Sequence, residues 1–222
     1  MCDILEHWPI LKHPKGYELI EIDYSFLKVS CVEEVNEERW FSFYTNLLNV
    51  CPVKSDDDLA VSYKKLLSLD NITNGKKDLL SVANRYRRAA ILSLYSYVIF
   101  IFLFQLPADT VVIQERRKKV IKDLGLTLQP FIIVVGPQIS DIDSAYVCVD
   151  KILYKVPSVL TALNICFKTF HVFNAIYPPE SEHLWLLLQR ILFMFSTKWD
   201  KMAPYVMEII TDMSNTDKEN SV

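Results

Sequence analysis

Residues 145–158 read AYVCVDKILYKVPS, and this stretch decides whether the chain is all-helical or mixed. Val147 and Val149 alternate with Cys148 as side chains do on the two faces of a strand. Asp150-Lys151 supplies a two-residue turn, although it lacks the favoured Asp-Gly pair, and residues 152–156 return. A β-hairpin is therefore expected over residues 145–156. Pro157-Ser158 closes it. Ser158 is placed to cap a helix, because its hydroxyl can accept a hydrogen bond from a first-turn N–H. Upstream, residues 131–135 (FIIVV) form a β-branched run halted by Gly136-Pro137, which predicts one more strand.

Helical periodicity surrounds this β segment. After Ser158, the residues Leu160, Leu163, Phe167, Phe170 and Asn174 fall on one face, widened by Cys166 and Phe173. Tyr177-Pro178-Pro179 breaks that helix, since proline fixes its own φ and disfavours helix in the residue before it. Pro179 suits the first turn of a second helix, with Glu180 and Glu182 near its positive end. Leu184, Leu187, Leu188, Ile191 and Phe195 give this second helix a buried stripe. The pair reads as an αα-hairpin whose corner packs Phe167, Phe170, Phe173, Tyr177, Leu184, Trp185 and Leu188. Such aromatics also make interfaces, so Phe167, Phe170, Tyr177 and Trp185 are the candidate interaction surface. A last amphipathic helix is expected over residues 204–213, followed by a disordered polar tail over 214–222.

The N-terminal half reads as helices. Over residues 35–50, Trp40, Phe43, Tyr44, Leu47 and Leu48 share a face, and Glu33, Glu34, Glu37 and Glu38 suit the positive end. Asp56-Asp57-Asp58 starts another helix carrying Leu59, Tyr63, Leu66 and Leu67. Residues 71–77 (NITNGKK) form a loop, and a third helix starts near Asp78. Residues 89–106 (AAILSLYSYVIFIFLFQL) then make an apolar block ended by Pro107. As a helix it would span about 27 Å, close to a bilayer's hydrocarbon core. Ser93, Ser96 and Gln105, with basic residues on both flanks, favour a buried core helix over a single transmembrane span. Residues 111–128 read as a polar connector or short helix. The fold class is thus α+β, mostly α: a helical N-terminal half, then a strand and β-hairpin, an αα-hairpin and a last helix. The expected organisation is a helical region 1–125, an α/β module 126–213 and a tail 214–222.

Composition narrows the function. At 51% hydrophobic, the chain of 222 residues can build a core, so wholesale disorder is excluded. A net charge of −3 disfavours a dedicated nucleic-acid binder. The sequence holds 4 glycines, where average usage gives about fifteen. Phosphate cradles need clustered glycines, and neither a G-x-G-x-x-G nor a Walker loop occurs. The 5 cysteines include no C-x-x-C, and residues 1–10 carry Asp3 and Glu6, unlike a secretory leader. A reducing compartment, cytoplasmic or nuclear, is expected, with a membrane location as the alternative.

The block from Leu128 (LQPFIIVVGP), Val149-Asp150, Tyr154 to Ser158 (YKVPS), Ala162-Leu163, Cys166 to Lys168, Val172 to Asn174, Tyr177-Pro178, Trp185 and Leu188-Gln189 resembles a group of uncharacterised animal proteins. The group is abundant in fish and arthropods, has a mobile-element character, and includes proteins labelled as similar to sterile alpha motif domain-containing protein 3. The likeness covers about residues 128–200, and no sterile alpha motif domain is read here. What the resemblance implies is a recurring C-terminal module. It carries no activity, cofactor or catalytic residue.

Three constellations invite a catalytic, metal-binding or nucleic-acid reading, and each has a plainer one. Asp141-Ile-Asp143 follows an apolar strand, as the paired carboxylates of metal-dependent sugar transferases do. A solvated loop explains it as well. His171 and His183 flank the Pro178-Pro179 corner near Cys166 and Glu180, but zinc needs three or four converging ligands and no H-E-x-x-H occurs. Arg85-Tyr-Arg-Arg88 and Arg116-Arg-Lys-Lys119 are basic clusters of the kind that form solvated helix faces. The expectation is an interaction module with no enzymatic activity, no cofactor and no metal. Its partner would be another protein or a second copy. The rival is a single-pass membrane protein anchored by residues 89–106.

Overall fold

The computed structural model describes residues 7–27, 34–50, 101–104, 109–123, 127–136, 142–178, 181–201 and 204–219. The expected helices around 56–67 and from 78, the loop 71–77 and residues 89–100 lie outside the described residues, as do Arg85–Arg88, Cys2, Cys31, Cys51 and Asp141. The chain is mixed α+β. A 3-10 turn (Pro9–Lys12) leads into α1 (Gly16–Phe26) and α2 (Glu37–Val50). β1 (Ile101–Phe104), α3 (Asp109–Asp123) and β2 (Phe131–Val135) follow. The hairpin strands are β3 (Ser144–Val149) and β4 (Ile152–Val156). Three helices close the chain: α4 (Val159–Val172), α5 (Glu182–Ile191) and α6 (Pro204–Glu219).

The β segment forms as its residues dictate. β3 and β4 are antiparallel with Val149 opposite Ile152. The turn works without glycine because Asp150 takes φ 52°, a left-handed conformation that Asp tolerates. Gln114 of α3 straps this turn, its amide N–H donating to the Asp150 carbonyl at 3.1 Å. The sheet order is β1-β2-β3-β4, with β1 parallel to β2 and β2 antiparallel to β3. All five residues of β2 are buried, because both faces are covered. Ile132, Val134, Val147, Tyr154 and Val156 point into the main core. Phe131, Ile133 and Cys148 point to the other face, with Tyr146 and Leu153.

β1 corrects the reading of residues 89–106. Ile101–Phe104 is a strand, so neither a core helix nor a membrane-spanning helix runs unbroken through that block. A short apolar run has no periodicity to separate helix from buried strand. Here Ile101 and Phe104 find partners in Ile132 and Val135. No helix among the described residues is long and apolar enough to cross a membrane. Of the two readings of residues 111–128, the helix is the one found: α3 joins β1 to β2 in a βαβ unit. The expected division at residues 125 and 126 falls within this unit.

Ser158 caps α4, accepting from the Thr161 N–H at 3.0 Å. α4 ends at Val172, before the expected Pro178-Pro179 break, because Asn174 turns left-handed at φ 47°. α5 starts at Glu182 after Ser181, and Pro179 and Glu180 lie outside the described residues. α6 runs on to Glu219, so residues 214–219 are helical where a disordered tail was expected.

α4 lies on β2 and β3, α1 packs on α4, α2 on α6 and α5 on α6. α1 was not foreseen: GYELIEIDYSF alternates apolar and acidic residues almost as a strand would. It is helical because Ile20 and Tyr24, one turn apart, fall on a common face that buries against α4. Gly16 is required there, since a Cβ would come within 2.6 Å of the Leu11 carbonyl oxygen. The remaining ties are polar. Asn164 accepts from the Val35 N–H at 3.2 Å and donates to the Val35 carbonyl at 3.1 Å. Lys168 reaches Glu21 and Glu34, each at 2.8 Å. The Tyr154 hydroxyl donates to the Leu11 carbonyl. Replacing Asn164 with Leu would leave both Val35 backbone groups unpaired and should cost about 3 kcal/mol. Urea denaturation of Asn164→Leu measures this, and an unchanged midpoint would contradict the assignment.

Candidate functional site

The corner after α4 gathers most of the residues that the sequence singles out. Phe167, Phe170 and Trp185 are fully buried and Tyr177 is half-buried, so they are core and not an exposed interaction surface. Phe167 stacks on Phe193 with ring centroids 3.6 Å apart. Phe170 meets Tyr177 and Trp185 edge-on, each at 4.9 Å. Tyr177 lies parallel to Trp185 at 5.8 Å. The Phe170 pairs take the edge-to-face arrangement, and the Tyr177–Trp185 pair the offset one, that aromatic quadrupoles favour.

A polar relay threads this aromatic packing. The Tyr177 hydroxyl donates to Gln189 Oε1 at 2.7 Å, so its oxygen accepts from His171 Nε2 at 3.1 Å. That fixes the imidazole as the Nε2–H tautomer. The Gln189 amide then donates to Asp200 Oδ2 at 2.7 Å. Asp200 also takes the Thr197 N–H at 2.9 Å and the Thr197 hydroxyl. The relay thereby ties the end of α4, the linker, α5 and residues 197–200 into one unit. Burial among Phe167, Phe195 and Tyr24 lowers the His171 pKa to about 4, against a smaller upward pull from the Asp200 charge. Burial raises that of Tyr177 well above 10, with the Asp200 charge adding.

The other constellations do not converge. His183 is exposed on α5, and Cys166 is buried in α4. No group of three His, Cys, Asp or Glu residues among the described residues could hold a metal ion. Asp143 sits at the mouth of a groove of about 340 Å³ near the start of α4, beside Glu34 and Glu37. Its own N–H donates to the Val135 carbonyl at 2.8 Å, the local geometry of a loop that enters β3. Arg116–Lys119 lies on α3, where Lys118 pairs with Glu115 at 3.6 Å on the surface.

Periodicity did not reveal the outward-facing residues of this corner. Ile176, Met194 and Trp199 are exposed by 67%, 77% and 76%. Each adjoins a half-buried member of the corner in sequence: Tyr177, Phe195 and Asp200. Met194 sits at φ 47°, where Gly or Asn would be unstrained. The Phe195 N–H, bonded to the Gln189 carbonyl at 2.9 Å, holds it there. Phe26, the last residue of α1, is exposed by 75%. Glu21 meets Lys168, and Tyr24 meets His171, so α1 and α4 run in the same direction and end together. No protein-family model, no curated protein and no solved structure matches this chain.

Two outcomes test this geometry. His171 stays neutral in the fold down to about pH 4, whereas unfolded histidine protonates near 6.5. The unfolded chain therefore binds the extra proton between these values. Stability should hold above about pH 6.5 and fall towards pH 4, by up to roughly 3 kcal/mol. Denaturation across that range should show the slope, and His171→Gln should flatten it. The Tyr24 hydroxyl is buried without a hydrogen-bond partner among the described residues. Tyr24→Phe should therefore raise the melting midpoint, by up to about 1 kcal/mol of stability.

Proposed function

We propose that the chain is a non-catalytic protein-interaction module of the cytoplasm or nucleus, and that it docks through the apolar end formed by Phe26, Ile176, Met194 and Trp199. The observation that carries this reading is Met194. A long apolar side chain, held in solvent at a left-handed φ of 47°, serves no evident folding purpose. Strained, over-determined backbone of this kind collects at ligand-contacting sites. Each of these four side chains is at least 67% exposed, as a docking residue must be. Tryptophan is a preferred anchor, and the relay behind it supplies rigidity.

A non-catalytic role is supported by how the relay ends. Its histidine, tyrosine and carboxylate satisfy one another and Thr197, with none directed at the groove beside Asp143. The resemblance over residues 128–200 to animal proteins of mobile-element character fits a module reused as a unit. It places no cofactor or nucleic acid in the proposal.

The test places a photo-crosslinking amino acid at exposed Ser196, between Met194 and Trp199, in living cells that express the full chain. Exposed Lys155 on β4 is the control position. Protein adducts should form at 196, fade at 155, and disappear in Met194→Asn/Trp199→Ser. Equal adducts at both positions, or none at 196, would sink the reading.

A further inference from the structure

We infer that the groove at the start of α4 receives a basic peptide segment, with one lysine or arginine side chain seated at its acidic mouth. This site is separate from the apolar end and stands without it. The groove holds about 340 Å³, the size of a small binding pocket. Val35, Ile142, Pro157 and Leu160 give it apolar walls, and every charged residue that lines it is acidic: Glu34, Glu37 and Asp143. All three are exposed and so form the mouth. Lys168 engages Glu34, whereas Glu37 and Asp143 enter no ion pair among the described residues.

These carboxylates share a groove but do not converge, since no three acidic groups among the described residues could hold a metal ion. A cation with length suits them better than a point charge. The aliphatic stem of lysine or arginine can lie on the apolar walls while its head stays at the wet mouth. The floor offers donors instead. Asn164 is 5% exposed and lines the groove. It commits its carbonyl and one amide N–H to Val35. Its second amide N–H has no partner among the described residues. The N–H groups of Val159 and Leu160 are likewise open. Ser158 Oγ takes only that of Thr161, and the internal bonds of α4 begin at Ala162. Neutral carbonyl oxygens match these donors, whereas an anion would meet the carboxylates of the mouth. Backbone carbonyls, an aliphatic stem and a cationic head are together what a basic peptide supplies.

The probe is acetyl-Val-Lys-Val-amide, titrated into the isotope-labelled full chain and followed by backbone amide shifts. Saturable shifts should appear at Val35, Ser144 and Thr161, and none at Met194 or Trp199. The same peptide with norleucine in place of lysine should bind about tenfold more weakly. Glu37→Gln/Asp143→Asn should cost the lysine peptide a similar factor and leave the norleucine peptide unaffected. Both replaced side chains are exposed, so the variant should keep its fold, and unchanged shifts far from the groove check that. Equal affinity for the two peptides overturns the inference, as does undiminished lysine-peptide binding in the variant or the absence of shifts at the groove. Free lysine that binds as tightly as the peptide would make this a small-molecule site. Calcium that alone produces the shifts would make it an ion site. Either result removes the peptide from the groove.

Discussion

α4 is buried along most of its length and yet carries Asn164, Lys168 and His171 on one face, at the i, i+4, i+7 spacing that a helix aligns. A polar group that leaves water must find a partner or cost several kcal/mol. The rest of the structure answers that demand. Val35 offers both backbone groups to Asn164, Glu21 and Glu34 meet Lys168, and Tyr177 takes the proton-bearing nitrogen of His171. The apolar remainder of α4 lies on β2 and β3. One helix thereby sets both the sheet's cover and the angle at which the N-terminal segment docks. Lys168 is mostly buried while Glu34 stays in water, so water screens this ion pair and its net contribution is small.

Much of this was legible in the residues. The hairpin, the FIIVV strand, the Ser158 cap and the inward face of α2 follow from alternation, turn chemistry and periodicity, and each appears where those rules place it. The stripe on α4 was not legible. Nothing local marks Asn164 and Lys168 as interior; only the presence of Val35, Glu21 and Glu34 across a long sequence separation makes them so. The same limit hid β1. Ile101–Phe104 owes its conformation to Ile132–Val135, and local pattern carries no record of that partner.

The corner shows the limit in reverse. Phe167, Phe170, Tyr177 and Trp185 were chosen as an interaction surface because they are large and aromatic, yet packing takes them inward. The outward side chains, Ile176, Met194 and Trp199, sit in irregular backbone where no period applies. Their signal is a mismatch: a methionine in a conformation suited to glycine, and a tryptophan beside an aspartate that is held internally. Such conflicts between local preference and observed place are expected at functional or strained positions.

The long reach of the α4 contacts also has a consequence in time. Val35 and Asn164 are 129 residues apart, Leu11 and Tyr154 are 143, and Glu21 and Lys168 are 147. On a ribosome adding about 5–20 residues per second, α1 is made roughly seven to thirty seconds before the helix it packs against. During that interval Ile20 and Tyr24 have no core to enter. Closing loops of this length before any contact rewards them makes for slow folding. The nascent chain is therefore a natural client for chaperones, and its earliest-made helix is among the last to find its place.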